Sequence, residues 1–246
     1  MSEGKGGEYV VRFSPRQRLE HCAIMLLFVV LSLTGFPQKF PDYALSRALS
    51  DAAGGVQVLR FLHRGAGLML LALSLAHFAW LIAGLAARRL PLSMLPTRKD
   101  FEDAVITLRY YLRLDSKPAR FDRYDYRQKF EYWGLVIGNL VMLGTGLVLM
   151  FPILATRYLP GELVPVAKVA HGNEGLMAFL VVIIWHVFNA HLAPDIFPFN
   201  TTIFTGKISK QRLLRDHPLE YERLFPPGQL EPAPTEPPKA APVRDG

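Results

Sequence analysis

Cysteine is almost missing from this chain: Cys22 stands alone. A single cysteine excludes a disulfide within the chain, an iron–sulfur cluster held by it, and a CxxCH haem attachment, so any haem would be held non-covalently. A leader signature is missing too. Residues 1–18 are polar and basic, and Thr34-Gly35 at the end of the first apolar run is followed by Phe36, Pro37 and Lys39 rather than a clear cleavage site. The first run is therefore expected to be a retained span. The apolar runs lack a polar face, as in LVIGNLVMLGTGLVLMF over 135–151, which argues against a water-soluble bundle. Basic residues are scarce in two segments, with two Lys/Arg in 38–57 and one in 154–165.

What the chain has in quantity is hydrophobic length. Apolar residues gather in runs at about 19–37, 58–86, 131–153 and 166–192, each near the ~20 residues a membrane span needs. The expected fold is all-α, an integral membrane four-helix bundle over 19–192. Residues 1–18 carry four Lys/Arg and the 87–130 connection carries eleven. Basic loops stay inside. Both termini and the 87–130 loop are therefore expected in the cytoplasm, with the two short loops on the other side of the membrane. The charges flank the spans, so no nucleic-acid partner is expected. Within 87–130, Asp100 opens a helical pattern that puts Phe101, Val105, Leu108 and Leu112 on one face. An amphipathic helix lying on the cytoplasmic surface, or docking a soluble partner, is expected there. Residues 193–225 read as a polar cytoplasmic segment, and 226–246 as a disordered Pro-rich tail.

Ionisable residues inside spans are costly and so mark function. His63 and His77 are 14 residues apart in the second run, and His171 and His186 are 15 apart in the fourth. Four helical turns take about 14.4 residues, so each pair lies near one stripe of its helix with about 21 Å between its members. Facing helices of this kind would hold two b-type haems, one near each side of the membrane. The topology puts His63 and His171 together near the outer face. Near the inner face, His77 and His186 match in depth, and His21 at the start of the first span competes for the same place. His191 lies about 140° round the helix from His186 and leaves a third haem open. Small residues after the outer histidines (Gly65, Ala66 and Gly67; Gly172 and Gly175) permit close approach to a flat ring, or simply helix packing. Arg64 would pair with a haem propionate or snorkel to the interface. Glu174 is a candidate proton carrier on the outer side, and Asn139 a candidate bond to a neighbouring helix. His217 is expected at the surface.

Arg16-Gln17-Arg18-Leu19-Glu20-His21 running to Thr34-Gly35, then His63-Arg64, Gln128-Lys129-Phe130 through Thr145-Gly146-Leu147, and His171 to His186, together resemble the cytochrome b (gamma) subunit of membrane-bound formate dehydrogenases. They also resemble its relatives in nickel–iron hydrogenases and other bacterial di-haem cytochromes b, over about residues 10–210. The resemblance implies one haem on His63 and His171 near the periplasm and another on His21 and His186 near the cytoplasm. His77 departs from that pattern and is closer to cytochrome b of bc complexes. The partner of His186 thus stays open between His21, which the resemblance favours, and His77, which helix geometry favours. The resemblance also implies a quinone pocket beside the inner haem at Asp125-Tyr126-Arg127-Gln128-Lys129, where Asp and Arg replace the family's Asn and Gly. Asp125, Gln128 and Lys129 are its candidate residues, with a charged interfacial anchor as their other reading.

The expected function is a membrane b-type cytochrome passing electrons between a quinone pool and a redox partner through two bis-histidine haems. The chain shows no site for oxidising a primary substrate. It would be the electron-transfer subunit of a quinone-linked oxidoreductase complex, with an iron–sulfur or multihaem cytochrome c subunit implied by the resemblance. The competing expectations are a stand-alone cytochrome b, a cofactor-free histidine-lined transporter, and a structural membrane anchor for a redox enzyme.

Overall fold

The computed structural model describes residues 8–226 except 195 and 198. The tail expected to be disordered therefore lies, apart from Pro226, outside the described residues. Strand β1 (Tyr9–Val11) leads into helix α1 (Pro15–Lys39). Ser14 caps α1: Gln17 N–H donates to its hydroxyl, Ser14 N–H donates to the Gln17 side chain, and Pro15 takes the first helical position. A first-turn proline needs no N–H, so capping and ring geometry agree. A short α2 (Ala44–Ala52) turns the chain into α3 (Val56–Ala86). After α4 (Arg98–Tyr111) comes α5 (Tyr126–Met150), capped by Asp125 and Gln128 as α1 is by Ser14 and Gln17. The one-turn α6 (Pro152–Ala155) precedes α7 (Leu163–Leu180), which continues as π-helical turns over Val181–His186 and Phe188–Leu192. The chain then forms α8 (Thr202–Thr205), β2 (Lys207–Ser209), α9 (Lys210–Asp216) and α10 (Pro218–Leu224).

Four helices are long and apolar enough to cross a membrane: Pro15–Lys39, Val56–Ala86, Tyr126–Met150 and Leu163–Leu192. The third begins at Tyr126 rather than near 131, because the Asp125 cap extends it by a polar first turn. It stops at Met150 rather than 153, because Pro152 opens a new turn. At 25 residues or more each, the spans exceed the ~30 Å of a hydrocarbon core. The chain is an all-α membrane bundle. Its large apolar side chains point outward, as Phe61 at 75% and Ile184 at 67% exposure do, which suits a lipid surround. α1 packs along α3 and α5 along α7, and the two hairpins touch each other only sparsely.

The ends of these helices that lie nearest the chain termini carry a cap. β1 pairs antiparallel with β2, matching Tyr9 with Ser209, Val10 with Ile208 and Val11 with Lys207. This ribbon is an addition to the all-helical expectation. Beneath it Arg12 and Glu220 form a buried ion pair, and Arg123 reaches the other Glu220 oxygen at 2.7 Å. Arg12 Nη2 donates to the Arg123 carbonyl, and Arg123 Nη2 donates to the Arg12 carbonyl at 2.7 Å. His217 is a correction to the surface position expected for it. It is 7% exposed, with Nδ1 2.7 Å from the Asp122 carbonyl and Nε2 3.1 Å from Arg12. The 193–225 segment folds back on the 87–130 connection, and that contact is what encloses the ring. Burial, then the charge of Arg12, holds the His217 imidazole below its ordinary 6.5.

α4 turns Asp103 and Thr107 toward the protein and leaves Phe101, Val105, Leu108 and Leu112 exposed. An apolar stripe facing out from the membrane end suits a helix at the bilayer surface. Lys129 of α5 pins α4 through Asp100 at 2.8 Å.

Candidate functional site

Four of the seven histidines meet in two pairs. His63 on α3 and His171 on α7 have ring centres 6.1 Å apart with planes crossing at 76°. His21 on α1 and His186 beyond α7 have centres 6.2 Å apart with planes at 40°. A metal–imidazole bond is about 2.0 Å and the nitrogen lies about 1.1 Å from its ring centre, so two rings on opposite sides of one iron have centres about 6.2 Å apart. Both pairs match that separation. No group of three or more His, Cys, Asp or Glu side chains that could hold a metal ion occurs among the described residues; a haem needs only two ligands from the protein.

The surroundings fix which nitrogen each ring can offer. Thr34 Oγ1 donates to the Val30 carbonyl at 2.7 Å and lies 3.0 Å from His63 Nδ1. Its proton is used on the carbonyl, so it accepts the Nδ1 proton and leaves Nε2 free. Thr145 does the same on the other hairpin, donating to Val141 O at 2.6 Å and lying 3.0 Å from His171 Nδ1. The next residue on each helix is glycine. A Cβ at Gly35 would come within 3.1 Å of the His63 ring, and one at Gly146 within 3.3 Å of the His171 ring, so a larger side chain at either place would push the ring aside. His186 Nδ1 is 3.0 Å from Glu131 Oε2. His21 Nδ1, Arg16 Nη1 and Arg18 Nε are buried without a hydrogen-bond partner among the described residues. Two guanidinium nitrogens beside the His21 turn suit the carboxylates that a haem carries at its edge.

The remaining candidates lie elsewhere. His77 is not brought to His186. Its Nε2 is 3.2 Å from Tyr132 Oη and its Nδ1 3.3 Å from Glu20 Oε2. His77 shares the depth of His186 but is rotated away from it about the bundle, toward Glu20 and Tyr132. His191 stacks on Phe199 with ring centres 4.1 Å apart and accepts from Asn200 N–H at 3.4 Å. Arg64 is exposed. Asp125 and Gln128 form the cap of α5, Asp125 also pairs with Arg127 at 2.8 Å, and Lys129 is held by Asp100. Glu174 lies over Gly138 of α5, and Asn139 Nδ2 donates to Ser74 Oγ at 2.8 Å, joining α5 to α3.

Glu20, Glu131, Thr34, Thr145 and Tyr132 were not singled out by reading histidines alone. A repeat in the sequence carries them. Arg16, Gln17, Glu20, Thr34, Gly35 and Phe40 recur as Arg127, Gln128, Glu131, Thr145, Gly146 and Phe151, all shifted by the same interval. Phe40 and Phe151 end their helices with matching backbone angles, φ −124 and ψ 61 against φ −126 and ψ 57. His63, Gly67, Leu68 and Met69 recur as His171, Gly175, Leu176 and Met177. His77 corresponds to His186 with one extra residue between, which the π-helical turn at Val181–His186 absorbs. Under this repeat His63 and His171 are counterparts, and Tyr132 stands in the place of His21.

The profile of the family described as prokaryotic cytochrome b561 matches residues 12–196. The chain is 22% identical over 215 residues to the cytochrome b556(Fdn) subunit of the nitrate-inducible formate dehydrogenase of Escherichia coli (strain K12), covering 87% of this chain and 91% of that protein. The corresponding subunit of Shigella flexneri matches at the same identity and coverage.

Proposed function

Because the chain belongs to the prokaryotic cytochrome b561 family, a family of membrane b-type cytochromes of electron transfer, we propose that it passes electrons between a quinone pool and a redox partner through two b-type haems. His63 and His171 hold one, and His21 and His186 the other. The observation that carries this reading is the pair of imidazole separations, 6.1 and 6.2 Å, near the width of a bis-histidine iron. The choice of His21 over His77 rests on the same measure. The haem-binding unit is the membrane domain of residues 19–192.

Haem b, when bound, supplies a one-electron carrier. The rest is work for the chain. Thr34, Thr145 and Glu131 hold three of the imidazoles by Nδ1 and present Nε2. Gly35 and Gly146 let the outer rings sit against their neighbouring helices. Arg16 and Arg18 offer unpartnered nitrogens to the propionates of the inner group. His21 and Thr34 are 13 residues apart on α1, so the two centres stand about 20 Å apart along the bundle. The basic 1–18 and 87–130 segments put the capped end in the cytoplasm. The named activity of the relatives suggests a place in a complex with a substrate-oxidising subunit, of the formate dehydrogenase kind.

A reduced-minus-oxidised visible spectrum of the purified chain tests the reading, with pyridine haemochrome counting. Two haems per chain are expected, one in a His63→Ala variant and one in a His21→Ala variant. A chain with no b-type α-band would overturn it and favour a cofactor-free transporter or anchor.

A further inference from the structure

The repeat makes one position in the bundle stand out. Applying it to the inner pair, His21 becomes Tyr132 and His186 becomes His77, and these two residues do meet, with ring centres 6.4 Å apart. The carboxylate follows as well: Glu131 holds His186 Nδ1, and Glu20 lies at His77 Nδ1. The chain thus has two inner positions of the same design. They differ in how they close. Nε2 of His77 and Oη of Tyr132 are 3.2 Å apart, whereas two ligand atoms on opposite sides of an iron stand about 4 Å apart. The second position is closed by a hydrogen bond from phenol to imidazole and has no room for a metal between the two atoms.

From this geometry we infer that His77 and Tyr132, with Glu20 orienting the imidazole, form the proton-handling site for a quinone, built on the disused counterpart of the inner haem position. The inference rests on the electron-transfer reading above. Three observations carry it. The three side chains form one continuous chain of hydrogen bonds, phenol to imidazole to carboxylate. His77 and Glu20 are 28% and 19% exposed in side chain, so the chain is open at its flank rather than sealed in a core. That flank belongs to membrane spans, so a ligand reaching it must be lipid-soluble, and one using donors and a proton path there must couple protons to electrons. A quinone has that chemistry. The site also adjoins the inner histidine pair by sequence: Glu20 precedes His21, and Glu131, which holds His186, precedes Tyr132. Arg16 ties the far end of the chain to the membrane surface, pairing with Glu20 and lying over the Trp80 ring.

Reduction of a quinone to a quinol adds two electrons and two protons. A b-type haem held by His21 and His186 would supply the electrons one at a time. Each proton passes from Tyr132 Oη to a quinone oxygen, and a proton from water is returned to the phenolate by way of His77 Nε2. Quinol oxidation runs the same transfers in reverse. Asp125, Gln128 and Lys129 are already committed to the helix cap and to Asp100, and they serve this site by holding the first turn of α5, one turn before Tyr132.

The test uses the full haem-loaded chain in lipid nanodiscs, with decylubiquinol as the probe and the rate of haem reduction as the readout. Tyr132→Phe and His77→Gln are expected to keep the wild-type haem count and full reduction by dithionite. Their reduction by the quinol should slow by about a hundredfold, the scale of a lost proton-transfer group. Quinol reduction at the wild-type rate in both variants would overturn the inference. So would loss of a haem in His77→Gln, which would make His77 a ligand. A wild-type chain that binds haem but takes no electrons from quinol defeats the quinone assignment as a whole, and a wild-type chain without haem defeats the reading beneath it.

Discussion

Glu131 and Thr34 set the two histidine pairs apart chemically. His186 gives its Nδ1 proton to a carboxylate, whereas His63 and His171 give theirs to threonine hydroxyls. A carboxylate partner makes an imidazole a stronger electron donor and favours the oxidised iron. Glu131→Gln should therefore raise the midpoint potential of the inner haem and leave the outer one in place; an optical redox titration reads both, and an unmoved inner potential would refute the assignment. The ring planes make a second difference. At 76° and 40° imidazoles holding an iron at each pair would split its orbitals unequally. The ferric chain should show two low-spin EPR signals, and the more anisotropic one should vanish in His63→Ala. At this scale the outer pair was legible, because spacing and charge already put His63 and His171 at one depth. The inner pair was not. His21 and His77 share a depth and differ in azimuth, which depends on how α1 and α3 are rotated by their contacts with other helices.

Helix phase belongs to the elements. The spacing of 15 between His171 and His186 would leave them about 60° apart on a regular α-helix. The π-helical turn at Val181–His186 takes up the additional residue, as the 14-residue spacing on α3 also indicates. Deleting Val182 should let that turn relax to an α-helix with His186 still aimed at His21. The haem count should stay at two, and loss of the inner haem would count against this account of the turn. The four spans could be read from apolar length alone, and the start of α5 could have been: Asp125 and Gln128 make a capping box. The π turn left no local mark, because Val181 to Ile184 would suit an α-helix equally well; only the extra residue against the α3 spacing points to it.

Across the whole molecule, the cap ties three distant stretches together. Glu220 lies between Arg12 and Arg123, with side chains of Arg12 and Glu220 each 3% exposed. Removing one partner from such a pair strands a charge, at a cost of about 3–5 kcal/mol. Glu220→Ala should lower the thermal stability of the solubilised chain accordingly, and Arg12→Met with Glu220→Leu should recover much of the loss. His217 adds a pH dependence. The unfolded ring protonates near 6.5, while the folded ring resists protonation through burial and Arg12. The unfolded state therefore binds more protons below that point. The stability contributed by the neutral ring is whole above 6.5 and falls away as the pH drops. Asp122 is pushed up by burial but pulled down more by Arg223, and Asp216 likewise by Arg215, so both lie below 3.8 and act only in stronger acid. Limited proteolysis of residues 207–224 should accelerate below about pH 6.5 in the wild type and far less in His217→Gln. An equal response in both would refute His217 as the cause. None of the cap was legible in the sequence, because no local pattern marks Arg12 and Glu220 as partners 208 residues apart.

The ribbon of β1 and β2 has a consequence for how the molecule is made. Residues 9–11 leave the ribosome early and have no strand to pair with until residues 207–209 follow. In the interval Arg12 has neither Glu220 nor His217 to meet. The cap therefore forms only once residues 207–220 have been made, so the membrane helices are in place before the first strand is secured.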